Sequence, residues 1–422
     1  MTDTSDGAPA ARGAMAPGTV GFIVVCVLIY FLDGLIHSVL GPLAPQMASS
    51  LSLSSAQLGP IFSANLAGQC IGLVVLPMFD GRVGQRRMVL LALLGFGLAQ
   101  AASALATGPA SLFALRLITG VFLGGCLPGC LAQVTAAAPA ARRGLMIMLL
   151  FTGYGLGATV AGLVAAAFAA HGGWRMAMVV VGAACLLTAL ASRHWLRDPA
   201  AVGAAGGATQ PVTRLVDALQ ILAPRYLVAT LLLWLLFICM LTISYCLNSW
   251  LPTLLVQVGR SGNFAALSVS VFSFGGIAAA LGVGMLIDRF GAQRTLVSFL
   301  LLATLLLYAV GQVLGTASGA VLMLLLAGCG FFVLGAYGGI NVVLATAYAA
   351  DVRAIGIGWA KSIGRVGTLV APVLIGVALQ AGMAGTSILS LFAVPALVGA
   401  LALVVIGLNQ RLAPNARARP GP

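Results

Sequence analysis

The sequence predicts an all-α membrane protein with twelve transmembrane helices in two six-helix halves. Of its 422 residues, 61% are hydrophobic and only 7% are charged, whereas a soluble domain carries roughly a quarter charged residues. Lipid must therefore be the solvent for most of the chain. The apolar residues also fall into twelve runs, each close to the roughly 20 residues that a helix needs to cross a bilayer.

Helix is the required structure for these runs, because in lipid only helices and closed barrels satisfy every backbone hydrogen bond. Barrel strands would be shorter and would alternate in polarity, which these runs do not. The predicted spans are 19–40, 57–78, 88–107, 110–133, 144–169, 174–192, 226–251, 264–287, 294–315, 319–343, 354–381 and 385–409.

The longest polar gap separates the first six spans from the last six, and we interpret it as a cytoplasmic linker. It includes the small-residue run 201–207, followed by Pro211. The predicted units are therefore a cytoplasmic tail at 1–18, a first bundle at 19–196, the linker at 197–225, a second bundle at 226–409 and a cytoplasmic tail at 410–422.

The arginines predict that both termini are cytoplasmic, because cytoplasmic loops of membrane proteins carry the excess of Lys and Arg. With this orientation sixteen loop arginines lie inside and only Arg175 and Arg260 lie outside. Topology signals of this kind explain the net charge of +13 without nucleic acid as a partner. The eight cysteines lie inside apolar runs, in no disulfide or metal-ligand spacing, so we expect no metal and no cofactor.

One acidic residue, Asp33, falls inside a predicted span. A charge at the bilayer centre costs about 2.5–3.5 kcal/mol on insertion scales, so such residues are candidates for function. His37 follows on the same helix face. A carboxylate in a low dielectric takes up a proton readily, and histidine titrates near neutrality. The pair is predicted to hold a coupling proton; the alternatives are a packing contact for Asp33 and an interfacial position for His37.

Three cations also fall inside spans: Arg116, Lys361 and Arg365. Arg365 lies about 18 Å along its helix from Arg353, near the midplane, and we predict that its guanidinium binds a carboxylate by two parallel hydrogen bonds. An interhelical bond is the alternative. Lys361, on the same face, is predicted to hold a second acidic or phenolic group or to lie at the cytoplasmic mouth. Because the predicted spans contain more cations than acids, their electrostatic potential favours a small organic anion as substrate and disfavours a cationic drug.

An aromatic ligand would need apolar walls and stacking partners. Tyr337 and Asn341 share a helix face and suit a ring and its hydroxyl. Trp250 stands at a helix end, where tryptophan is commonly an interfacial anchor. The candidate ligand-binding side chains, besides the cations, are Tyr245, Asn248, Tyr337, Asn341 and Trp359.

Two loops share one pattern, Asp80-Gly-Arg-Val-Gly-Gln-Arg-Arg after the second span and Asp288-Arg-Phe-Gly-Ala-Gln-Arg after the eighth. They resemble the signature loop of the major facilitator superfamily, although Gly81 is an insertion in the first copy. The resemblance implies the major facilitator fold, a parallel repeat of two halves, and loops that hold one gating state. A solvated topology loop is the alternative. The candidate gating residues are Asp80, Arg82, Arg86, Asp288, Arg289 and Arg294.

Four further stretches, 116–120, 248–255, 335–341 and 353–367, resemble the aromatic acid:proton symporter family. In the superfamily an arginine at the position of Arg116 is linked to proton transfer or to a bond with the first helix; ties to backbone carbonyls are the alternative. This chain departs from the family in several places. Ile36 replaces the second acid of an Asp-Gly-x-Asp motif, Tyr337 stands where Gln is common, and Lys361 is an added charge.

The resemblance and the interior charges together predict a secondary active transporter that imports an organic carboxylate, preferably aromatic, with protons by alternating access. A proton-coupled efflux antiporter and a symporter of a non-aromatic monocarboxylate are the alternatives. Drug antiporters of the superfamily carry Gly-Pro where this chain has Gly157-Ala158, which disfavours the first. Scattered histidines without a carboxylate cluster disfavour an enzyme. We expect a monomer, multi-pass in the bacterial inner membrane, whose partners are the organic anion, protons and the lipid bilayer.

Overall fold

The computed structural model describes residues 19–138, 143–169, 172–196, 220–349 and 352–412, which are almost entirely helical. Twelve helices in these ranges are long and apolar enough to cross a membrane, which confirms the predicted fold class. They are α1 Thr19–Leu51, α2 Ser55–Val75, α3 Gln85–Ala102, α4 Pro109–Ala137, α5 Arg143–Ala169, α6 Gly173–Ser192, α7 Pro224–Gln257, α8 Gly262–Phe290, α9 Ala292–Val313, α10 Gly319–Ala347, α11 Arg353–Gln380 and α12, which is interrupted at Phe392 between Gly385–Leu391 and Ala393–Leu412.

Two helices run well past their apolar cores. α1 continues through Pro42 and Pro45, and α7 continues through Pro252. The extensions are packed inside the protein, since Leu43 and Leu254 are both fully buried. Tertiary packing, rather than lipid, therefore supports the helix in these segments.

Each half repeats the packing of the other. α2 packs against α4 in the first half as α8 packs against α10 in the second, and the pair α1–α5 corresponds to the pair α7–α11. Most of the predicted linker, 197–219, lies outside the described residues. The repeat is consistent with the parallel internal symmetry that the two signature loops indicate.

The signature loops also match in backbone geometry. Gly84 before α3 and Gly291 before α9 adopt positive φ angles of 88° and 83°, which glycine reaches at little cost. Two residues further on, Arg86 donates to the Arg193 carbonyl and Gln293 donates to the Leu403 carbonyl. In each half, the first turn of the helix after the loop is thereby bonded to the last helix or to the residue that follows it.

The two halves meet closely at one end of the bundle. Gly41 of α1 faces the backbone of α7, where a Cβ would lie 2.2 Å from the Asn248 carbonyl oxygen. Ser63 of α2 donates its hydroxyl to the Leu369 carbonyl of α11 at 2.7 Å. This end is the one distant from the arginine-rich loops. With the predicted topology, these contacts between the halves lie toward the outside.

Arg175 and Arg260, the two arginines predicted outside, are structural donors to loop carbonyls. Arg175 donates to Ala104 at 2.9 Å and to Ala106 at 3.2 Å. Arg260 donates to Leu314 at 3.3 Å and to Ala317. Their positions therefore have a local structural explanation, and the orientation itself stays a prediction.

Candidate functional site

An open cavity lies between the two halves, with a volume of about 410 Å³ when the solvent at its mouth is included. The lining side chains come from α2, α7, α10 and α11, and they are Leu66, Gln69, Leu241, Tyr245, Tyr337, Lys361, Arg365 and Thr368. Four predicted ligand-binding residues, Tyr245, Tyr337, Lys361 and Arg365, therefore lie together.

Arg365 is half-buried in this cavity and weakly held. Its Nη1 lies 3.6 Å from the Cys70 sulfur, and its carbonyl accepts a hydrogen bond from the Thr368 hydroxyl at 2.7 Å. Within the described ranges, no acidic side chain pairs with the guanidinium. The fork of donors is thus available to an anion entering the cavity.

Asp33 is buried in α1, with 1% of its surface exposed. Neither of its carboxylate oxygens has a hydrogen-bond partner among the described residues. Because an isolated buried carboxylate is costly, this arrangement suits a group that holds a proton for part of a cycle.

A second, smaller cavity adjoins the first, and Leu66 and Tyr245 line both. His37 packs edge-on against the Tyr245 ring, with 4.9 Å between the ring centroids, and its buried Nδ1 has no partner among the described residues. Asn65, Arg116 and Ser249 also line this space. Tyr245 therefore separates the cavity that holds Arg365 from the polar space beside His37.

Arg116 is 1% exposed in α4. Its Nη1 donates to Gln100 Oε1 at 2.8 Å, and its Nη2 donates to the Ser103 hydroxyl. Gln100 lies in α3, and Ser103 comes directly after that helix. Among the described residues the guanidinium therefore bonds to these two side chains, and not to α1 or to backbone carbonyls as the sequence suggested. The reason is helix register, which brings two polar side chains of the preceding helix against it.

Three predicted ligand-binding residues do not line either cavity. Asn248 has a buried, unpartnered Oδ1, and Asn341 donates within its own helix to the carbonyls of Tyr337 and Gly338. Trp359 is 39% exposed and stacks on Trp234, with 6.1 Å between centroids.

The prediction of an interfacial anchor at Trp250 is wrong. Its side chain is fully buried and packs edge-on against Phe62 of the other half, with 5.1 Å between the ring centroids. The reason is the extension of α7, which carries Trp250 into the contact between the halves rather than to the membrane surface.

The candidate gating loops lie at the arginine-rich end. Arg82, Asp288, Arg289 and Arg294 are exposed there, and the side chain of Asp80 lies outside what the structure describes. The gating role stays a prediction.

Sequence reasoning missed the amides of α2. Gln69 lines the first cavity and Asn65 the second, one helical turn apart on the same face. Two amides at i and i+4 in an apolar span were the available signal, since uncharged polar residues also mark helix–helix contacts.

A polar cavity between two repeated six-helix halves is the arrangement typical of a secondary membrane transporter. The model of the Major Facilitator Superfamily matches residues 26–372 and 233–422, so the chain belongs to that superfamily. The structure resembles a D-xylose-proton symporter with a TM-score of 0.75 and 16% identity, covering 92% of this chain and 97% of that one.

Relatives of higher sequence identity indicate which group of transporters the chain resembles. The chain is 32% identical to the 4-hydroxybenzoate transporter PcaK of Pseudomonas putida, over 92% of each chain. It is also 32% identical to the 3-(3-hydroxy-phenyl)propionate transporter of Escherichia coli, over 97% of this chain and 99% of that one. The chain is therefore a multi-pass transporter similar to transporters of aromatic acids, and it is not an enzyme.

Proposed function

We propose that this protein imports an aromatic carboxylate together with a proton, by alternating access of a cavity between its two halves. The observation that supports this most strongly is the Arg365 guanidinium, which faces the cavity between the halves without an acidic partner among the described residues. The names of the relatives, transporters of 4-hydroxybenzoate and of a hydroxyphenylpropionate, support the same substrate class.

The cavity supplies what such a substrate needs. Arg365 binds the carboxylate, and the rings of Tyr245 and Tyr337 with Leu66 and Leu241 form walls for an aromatic ring. Gln69 and the two tyrosine hydroxyls are hydrogen-bonding groups for a ring hydroxyl.

Coupling to a proton is supported by the position of Asp33 one helical turn before His37. His37 packs on Tyr245, which also lines the cavity that holds Arg365. A nearby positive charge favours the ionised carboxylate, and a bound anion neutralises that charge. Anion binding at Arg365 therefore favours proton uptake at Asp33, with His37 as the second candidate. Arg116 is hydrogen-bonded to Gln100 and Ser103, and we assign it a structural role beside this pathway.

Alternating access requires the halves to close one end while they open the other. In this structure they touch at the end distant from the arginine-rich loops, and Lys361 is exposed on the opposite side of the cavity. We infer that the cavity opens to the cytoplasm, in the bacterial inner membrane, with both termini inside.

The test is uptake of radiolabelled 4-hydroxybenzoate by bacterial cells that express the chain, compared with cells that carry an empty vector. We expect accumulation above the external concentration, which a protonophore abolishes. Accumulation that survives the protonophore would contradict proton symport.

The alternatives predict different results in the same assay. An efflux antiporter would lower the cellular content below that of the empty vector. A carrier of non-aromatic monocarboxylates would leave 4-hydroxybenzoate outside and would transport an acid such as lactate.

A further inference from the structure

Two cations, rather than one, line the cavity. Lys361 and Arg365 stand four residues apart on α11 and both face it, about 6 Å apart along the helix axis. No Asp or Glu is among the lining residues. The described part of the chain therefore offers two positive charges to one ligand and no negative charge between them.

A neutral ring hydroxyl does not need the second cation. Gln69, Tyr245, Tyr337 and Thr368 already present uncharged hydrogen-bonding groups in the same cavity. A hydroxylated monocarboxylate would pair Arg365 and leave the ammonium of Lys361 without an anion. A second carboxylate on the ring would pair both charges, each by a charge-assisted hydrogen bond.

We propose that the preferred substrate is an aromatic dicarboxylate, with one carboxylate on Arg365 and the other on Lys361. This inference rests on the proposed function and narrows it. It also separates this chain from the relatives described above, whose names give substrates with a single carboxyl group.

The first test is competition in the uptake assay. Unlabelled benzene-1,2-, 1,3- and 1,4-dicarboxylate are compared with benzoate and 4-hydroxybenzoate as inhibitors and, when labelled, as substrates. We expect at least one dicarboxylate to be transported with a lower KM than either monocarboxylate.

The matched variants are Lys361→Met, which removes the charge and keeps the length, and Lys361→Arg, which keeps the charge. Hydrogen bonds to charged groups predict an increase of about ten- to 100-fold in the dicarboxylate KM for Lys361→Met. The KM for benzoate should rise by a smaller factor than the dicarboxylate KM, because benzoate has no second carboxylate to pair with Lys361. Lys361→Arg should retain the dicarboxylate preference.

A second readout does not depend on transport. Lys361 is the one lysine in the sequence and is exposed, so an amine-reactive reagent can be followed at this residue by peptide mass spectrometry on the purified protein. We expect the dicarboxylate to slow labelling of Lys361 and benzoate to leave it unchanged.

The outcomes separate the two proposals. If monocarboxylates are preferred and Lys361→Met leaves that preference unchanged, the dicarboxylate inference is wrong while the proposed function stands. If no aromatic acid of either class is transported or protects Lys361, the proposed function fails and the inference fails with it.

Discussion

Arg116 in the first half and Arg365 in the second half both lie in membrane-spanning helices, but their surroundings differ. Arg116 borders the second cavity, but it is almost fully buried and is bonded to Gln100 and Ser103. Arg365 borders the first cavity, and its one side-chain hydrogen bond among the described residues is a long contact to Cys70. A buried cation with its own polar partners stabilises the fold, whereas a cation without them is free to bind a mobile anion.

The largest effect expected from this comparison is on transport by Arg365→Ala. Loss of two charge-assisted hydrogen bonds should lower kcat/KM for 4-hydroxybenzoate by at least about 100-fold. Arg353→Ala is the matched control, because Arg353 lies on the same helix and outside the cavity lining. Its kcat/KM should stay within about threefold of the wild type. Equal activity of both variants, at equal amounts of folded protein, would remove the distinction between the two arginines.

A smaller effect is expected on stability, and it compares one amide beside each arginine. Gln100→Ala leaves Arg116 Nη1 unpaired in the interior, at a cost of about 1–3 kcal/mol in the free energy of unfolding. Its melting temperature in detergent should fall, with uptake per folded molecule nearly unchanged. Gln69→Ala, in the cavity, should instead lower uptake per folded molecule and leave the melting temperature nearly unchanged.

That comparison sharpens the role of Arg116. Loss of uptake by Gln100→Ala with an unchanged melting temperature would place Arg116 in the transport cycle instead.

The fold was predictable because lipid sets both the composition and the length of each span. The predicted C-terminal ends of α1 and α7 were too early. Both helices continue, past Pro42 and Pro252, because the two halves of the protein pack against each other there. The hydropathy of the sequence carries no information about that contact between the halves. For the same reason, the position of Trp250 at the end of an apolar run was a poor guide to its environment.

The site was predictable where a charge inside a span marks it, as at Arg365 and Lys361, because such residues are rarely tolerated without a function. Partners that depend on helix register were not predictable. Nothing in the local sequence pairs Arg116 with Gln100, and nothing turns Asn341 toward its own helix rather than toward the cavity.

The central claim is that anion binding at Arg365 and proton binding at Asp33 occur together. It is tested most directly by adding 4-hydroxybenzoate to the purified protein in weakly buffered detergent solution and following the pH. We predict proton uptake that saturates with the bound anion and is lost in Asp33→Asn, although this variant still binds the acid. Binding without proton uptake in the wild type, or unchanged uptake in Asp33→Asn, would contradict the claim.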